Sequence, residues 1–190
     1  NYWVHNGFIN VDNKKMSKSL GNFFTVRDAA AAYGYDCIRM FMLMSHYRSP
    51  LNYSGEILMQ AKAALERLST AKDNLDFFVL CGADGPMTDS EAAAFEKMGV
   101  YRQKFDDAMD DDLNTADAIS AIFELVREIN AAVNPNAQPT KALAEACRGL
   151  YLELSEVLGI PFIEKKDELS EEQLALIEAR KAARKEKNWA

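Results

Sequence analysis

The stretch Lys15-Met16-Ser17-Lys18-Ser19-Leu20-Gly21-Asn22 holds the residue types in this chain best suited to chemistry. Two ammonium groups three residues apart and two hydroxyls able to donate to phosphate oxygens make an anion clamp, and Gly21 can take the positive φ of a tight turn. The Gly-x4-Gly-Lys-Ser/Thr spacing of a P-loop is absent. By residue type alone a solvated basic loop is the commoner reading, because Lys and Ser crowd ordinary surfaces. The acidic pairs Asp106-Asp107 and Asp110-Asp112 have neither EF-hand spacing nor a Glu-x-x-His partner, so they read as helix caps and a solvated face. Cys37, Cys81 and Cys147 lie far apart without C-x-x-C spacing and read as buried thiols of a reducing compartment.

The elements that must position the clamp begin with Tyr2 to His5 and Phe8 to Val11, two β-prone runs around Asn6-Gly7, the dipeptide favoured in two-residue hairpins. Asp12-Asn13 reads as the break that ends the second strand, and 14–22 as an exposed loop in which Met16 and Leu20 are the anchors. Helical signals follow. Thr25 and Asp28 form a capping box for a short helix that Gly34 closes, and Asp36 caps a helix from Cys37 to about His46. Met40, Met42 and Met44, alternating with Phe41 and Leu43, read as packed core. Ser54 caps a long helix to about Cys81, Thr88 or Asp89 opens one to about Met109, and Asn114-Thr115 opens one whose apolar stripe runs from Ala116 to Val133. Thr140 to Leu158 gives another, and Ser170-Glu171-Glu172-Gln173 caps a last one. The predicted fold is mainly α, an antiparallel helical bundle preceded by a short β-hairpin and the lysine loop.

The composition suits a globular chain: 190 residues, 48% hydrophobic and 27% charged, with no apolar run near the ~20 residues of a membrane span. Net charge is -7, unevenly spread. Residues 1–54 carry six basic and three acidic groups (+3), residues 55–175 eleven and twenty-four (-13), and the last fifteen five and two (+3). Two basic ends could meet phosphate while the acidic middle keeps the chain dispersed.

A specified pentapeptide such as Lys15-Met16-Ser17-Lys18-Ser19 arises by accident in on the order of one chain of this length in ten thousand. It resembles the second signature of class I aminoacyl-tRNA synthetases. The flanking runs Tyr2 to Ile9, Asn22-Phe23-Phe24-Thr25-Val26-Arg27-Asp28 and Ser45-His46-Tyr47-Arg48-Ser49-Pro50-Leu51-Asn52-Tyr53-Ser54 are similar to cysteinyl-tRNA synthetases. So are Asp110 to Thr115 within the bundle and the basic run 179–185. The resemblance implies ATP-dependent activation of cysteine and its transfer to tRNA(Cys), in the cytoplasm, by a monomeric parent with no membrane attachment. It implies Lys15 and Lys18 as catalytic groups, with Lys18, Ser17 and Ser19 on the ATP phosphates beside Mg2+, and Arg27, Arg39 and Arg48 as candidate tRNA contacts. Arg39 reads equally as a structural ion pair, and His46 as a hydrogen-bonded structural histidine.

On the same pattern, residues 1–54 are the edge of the catalytic region, 55–163 the tRNA-binding bundle, and 164–190 a linker and basic helix leading toward an anticodon reader. The family's His-Ile-Gly-His signature does not occur in the sequence, and only fourteen residues precede Lys15, where the family's zinc ligands would lie. No metal ligands are therefore expected within this chain, and the piece by itself is expected to be inert. Two other readings are a related ligase that joins cysteine to an amino-sugar inositol through the same loop, and a non-catalytic helical interaction module.

Overall fold

A computed structural model describes residues 3–162. Asp12 and Asn13 both take positive φ, 49° and 61°, and that pair sets the strands. β1 (Ile9–Val11) pairs antiparallel with β2 (Lys14–Lys15), Asn10 opposite Lys15 and Val11 opposite Lys14. A two-residue loop with both central residues left-handed matches the twist of a strand pair, and Asn and Asp tolerate that conformation. The hairpin expected around Asn6-Gly7 therefore lies one turn later. Gly7 serves close approach instead: its N–H donates to the Tyr47 carbonyl at 2.7 Å, and a Cβ there would lie 2.3 Å from the Ser49 carbonyl oxygen. We expect Gly7→Ala to cost about 2 kcal/mol, since backbone and not a flexible side chain must yield, which a urea titration of the chain would read.

β3 (Leu51–Tyr53) runs parallel to β1 on its other side, giving the order β2-β1-β3. The turn is tied to it twice, by Asp12 N–H to the Tyr53 carbonyl at 3.1 Å and Asn13 N–H to Asn52 Oδ1 at 2.7 Å.

α1 (Val26–Tyr33) starts at the expected capping box: Thr25 Oγ1 accepts the Asp28 N–H, and Asp28 accepts the Thr25 N–H at 2.7 Å. Those Thr25 bonds, the backbone one foremost, hold the Asp28 carboxyl below its ordinary value. α2 (Tyr35–Leu43) begins after Gly34, at φ 82°, without a side-chain cap, so Asp36 lies inside the first turn and not at the cap. It also stops short of His46. Met40 and Phe41 are buried whereas Met42 and Met44 are exposed, because successive helical residues rotate by about 100° and such a run cannot face the core throughout.

α3 (Gly55–Cys81), α4 (Asp89–Asp110), α5 (Thr115–Ala132) and α6 (Lys141–Val157) are capped by Ser54, Thr88, Asn114 and Thr140. α4 lies along α5 and α3 along α6. Short connections such as 111–114 make consecutive helices antiparallel neighbours. Leu58, Leu65, Leu68 and Leu75 of α3 interlock with Ile122, Leu125 and Ile129 of α5 and Leu143, Tyr151 and Leu154 of α6. Each such side chain contributes roughly 1.5–3 kcal/mol when fully buried. The Tyr151 hydroxyl donates to the Leu68 carbonyl at 2.8 Å, and burial pushes its pKa far up. Burial likewise pushes the Cys147 thiol up to about 12. Cys37 is buried too, but Cys81 is exposed, contrary to the expectation for all three; it sits in the last turn of α3. The expected last helix and the basic run 179–185 lie outside the described residues. Among the described residues no helix is long and apolar enough to cross a membrane.

Candidate functional site

The lysine loop is tied by more hydrogen bonds than its composition suggests. Ser17, extended at φ -155°, accepts the Leu20 N–H on its Oγ at 3.2 Å, and Lys18–Leu20 make one 3-10 turn. Gly21, left-handed at φ 68°, closes that turn by donating its N–H to the Lys18 carbonyl at 3.2 Å. Asn22 then spans the base: its Oδ1 accepts the Ser17 N–H at 2.9 Å, and its Nδ2 donates to the Lys15 carbonyl at 3.2 Å. One amide side chain thus ties both ends of the clamp together. Ser17 and Ser19 hydroxyls lie 3.1 Å apart. Lys18 Nζ stands 5.4 Å from the Phe23 ring centroid, close enough for a weak cation–π attraction.

Lys15, Lys18 and Ser19 are exposed, and Met16 and Ser17 are half-buried. Leu20 is 63% exposed, so Leu20 does not anchor the loop as expected; the hydrogen bonds of Ser17 and Asn22 hold its shape. No ion pair among the described residues neutralises Lys15 or Lys18. Lys18 and two hydroxyls therefore sit on one small folded turn, with Lys15 at the end of β2 just before it, residue types suited to a polyanion such as a phosphate chain.

The three arginines occupy three different places. Arg27 is exposed in the first turn of α1. Arg39 Nη2 donates to the Leu158 carbonyl at 3.1 Å, fastening α2 to the end of α6. A Cβ on Gly159 would come within 2.4 Å of that nitrogen. Arg48 Nη1 lies 2.9 Å from Asp112 Oδ2, and its Nε donates to the Tyr47 hydroxyl at 2.9 Å.

Asp112 has a role that the sequence did not reveal. Its Oδ1 accepts the Tyr47 hydroxyl at 2.8 Å, and its Oδ2 lies 3.7 Å from His46 Nε2. His46 stacks on Tyr47 with centroids 4.8 Å apart, and its Nδ1 accepts the Arg48 N–H at 3.3 Å. Asp112 and Leu113 hold φ of 58° and 57°, a conformation costing roughly 1–2 kcal/mol for each non-glycine residue. Only the string Asp110 to Thr115 hints at this turn, and capping and solvation are a sufficient local account of it. No local pattern couples residues so far apart in the chain. Among the described residues no group of three or more His, Cys, Asp or Glu side chains converges to hold a metal ion.

Residues 1–63 match the family model for the class I (C) tRNA synthetase catalytic domain, and residues 104–163 match the DALR domain. A cysteine--tRNA ligase of Clostridioides difficile is 46% identical over 188 residues, covering 99% of this chain and 40% of that protein. One of Lachnospira eligens is 46% identical over 189 residues, covering 100% and 40%. One of Shouchella clausii is 44% identical over 191 residues, with the same coverage of 100% and 40%. The chain thus spans about 40% of the length of the curated relatives it matches. Among solved structures, the LeuRS–tRNA–LeuAMS ternary complex of Agrobacterium radiobacter K84 superposes with a TM-score of 0.62 at 18% identity, over 79% of this chain and 20% of that one. That likeness concerns the fold alone.

Proposed function

We propose that this chain, which belongs over its whole length to the cysteine--tRNA ligase family, supplies the ATP-phosphate loop and the helical tRNA-binding bundle of such a ligase. The reaction joins the cysteine carboxylate to the α-phosphate of ATP, releasing pyrophosphate. A hydroxyl of the terminal adenosine of tRNA(Cys) then takes the cysteinyl group, releasing AMP. Negative charge grows on the departing pyrophosphate in the first step. Lys18, with Lys15 beside it, meets that charge, and Ser17 and Ser19 donate to the same oxygens, an attraction greater in the transition state than in the bound substrate. Mg2+, arriving with ATP, shares in neutralising the phosphates. The described residues do not fit a zinc site, and no step here runs through one.

On this reading residues 1–54 belong with the catalytic region, 55–163 form the tRNA-binding bundle, and 164–190 lead onward toward an anticodon reader. Arg27, Arg39 and Arg48 all keep exposed surface to offer a phosphate, though Arg48 also pairs with Asp112. Arg39 gives one of its donors to the Leu158 carbonyl. The observation that carries the proposal is the Asn22-bracketed turn with its two unneutralised lysines.

The test replaces the matching segment of the C. difficile relative by this chain. We expect the hybrid to catalyse cysteine-dependent ATP–pyrophosphate exchange and to charge tRNA(Cys). A folded hybrid without exchange would overturn the proposal, and one that exchanges but passes cysteine to an amino-sugar inositol in place of tRNA would move the chain to the related ligase class.

A further inference from the structure

We infer that Asp112 is a positioning residue that sets the pose of the helical bundle against the sheet carrying the lysine clamp, with Tyr47 as the strut between them. The Tyr47 hydroxyl is held by Asp112 Oδ1 at 2.8 Å, in the turn between α4 and α5. The Tyr47 backbone carbonyl accepts the Gly7 N–H at 2.7 Å, where the chain enters β1. One residue therefore grips both parts, through a stiff ring with two side-chain torsions. Arg48 closes the triangle, its Nη1 2.9 Å from Asp112 Oδ2 and its Nε donating to the Tyr47 hydroxyl. A second bolt lies alongside, Thr115 Oγ1 donating to the Leu43 carbonyl at 2.8 Å.

From Tyr47 the path to the clamp is short. The Leu51 N–H donates to the Phe8 carbonyl at 2.8 Å, β3 pairs with β1, and β1 turns through Asp12-Asn13 directly into Lys14–Lys15. Stability alone is a poor explanation for the triangle. Its charged members are substantially exposed, at 65% for the Arg48 side chain and 38% for Asp112, and exposed ion pairs contribute little. Yet the turn that aims Asp112 holds two consecutive residues in the left-handed region, one of them Leu113. Strain retained for a weak pair is better explained by the geometry it enforces. The clamp's own shape is set by Ser17, Gly21 and Asn22 and does not depend on the bundle. Apolar packing of α2 and of Leu51 and Tyr53 on the core already joins the two parts; the triangle adds the polar contacts that fix their fine pose.

This inference rests on the proposed function in one respect: of the two parts joined here, activation draws on the clamp and not on the bundle, whereas transfer needs the tRNA held by the bundle to meet the clamp's site. Loosening the triangle should therefore impair transfer selectively. Two measurements test it. In the 190-residue chain, amide hydrogen exchange at Gly7 and Leu51 should speed up at least tenfold in Asp112→Ala and in Tyr47→Phe, with the α3 and α6 core amides unchanged. Asp112→Asn, which keeps an acceptor for Tyr47 and tolerates positive φ, should lie between. Unaltered exchange at Gly7 and Leu51 would overturn the strut whether or not the chain belongs to a working ligase. In the hybrid ligase, the same variants should lower kcat/KM for tRNA charging at least tenfold while ATP–pyrophosphate exchange stays within threefold. Equal losses in both activities would mark Asp112 as merely structural and overturn the positioning role. A parent hybrid inactive in both assays would count against the ligase reading, and amide exchange at Gly7 and Leu51 would then decide for or against the strut by itself.

Discussion

Lys18→Ala in the hybrid ligase should lower cysteine-dependent ATP–pyrophosphate exchange by about 30- to 900-fold, equivalent to about 2–4 kcal/mol of transition-state stabilisation. If Lys18 acts as proposed, the loss should fall mainly on kcat, because the charge it would meet is greater as pyrophosphate departs than in bound ATP. Lys18 stands on the 3-10 turn, and no carboxylate of the described residues pairs with it. Its removal should not unfold anything, since no residue of that turn is buried. Lys18→Arg keeps the charge but spreads it over a planar fork with a different reach, so it should recover only part of the rate. Lys15→Ala offers a useful contrast. Lys15 shares its carbonyl with Asn22 at the base of the clamp, while its ammonium leaves from a strand, and we expect a smaller loss there. Exchange by Lys18→Ala within threefold of the parent would reduce Lys18 to a solvated loop charge.

The starts of α1 and of α3 to α6 were legible in the sequence because their signals are local, whereas α2 has no side-chain cap and does not start from Asp36 as expected. Thr25 with Asp28, Ser54, Thr88 with Glu91, Asn114 and Thr140 each cap a helix through bonds spanning three residues, and all act as a short polar residue before an apolar stripe should. The strands were less legible because two candidate turns lie six residues apart and turn preference alone does not choose between them. Asn6-Gly7 has the stronger hairpin composition, but Gly7 is taken by a backbone contact with residues 47–49. The clamp was legible as a string of residue types and not as a shape. Nothing in the spacing showed that Asn22 would bracket it, or that Leu20 would point outward. Asp112 was hidden for a related reason: its partners His46, Tyr47 and Arg48 come from another element, and a run of three aspartates looks locally like any solvated helix end. Arg39 was hidden in the same way, since its contact with the Leu158 carbonyl spans 119 positions.

The largest loss of stability from a single polar residue should come from Glu91. Its carboxylate caps two helices at once. It accepts the Thr88 N–H at 2.8 Å and hydroxyl at 3.0 Å at the start of α4, and the Thr140 N–H at 2.8 Å and hydroxyl at 3.2 Å at the start of α6. Burial pushes the Glu91 carboxyl up, but the backbone and hydroxyl bonds from Thr140 and Thr88 outweigh it and hold the group below its ordinary value of 4.5. Glu91→Ala strands two backbone donors, one of them on Thr140, which is 8% exposed. We expect a cost of about 2–3 kcal/mol, or a fall in melting temperature of roughly 5–10 °C for a chain of this size. The pH dependence has a definite sign. Because the folded carboxyl is more acidic than the unfolded one, its contribution is complete above the unfolded value and is lost as pH falls through the folded one. Urea titrations should therefore show a constant gap between parent and Glu91→Ala from about pH 7 to about pH 5.5, narrowing as pH falls below the unfolded value. Glu91→Gln should fall between parent and Glu91→Ala near neutral pH, retaining one acceptor but no charge. If the gap between parent and Glu91→Ala persists undiminished at about pH 2.5, the carboxylate is not what holds α4 to α6, and side-chain packing must be doing so.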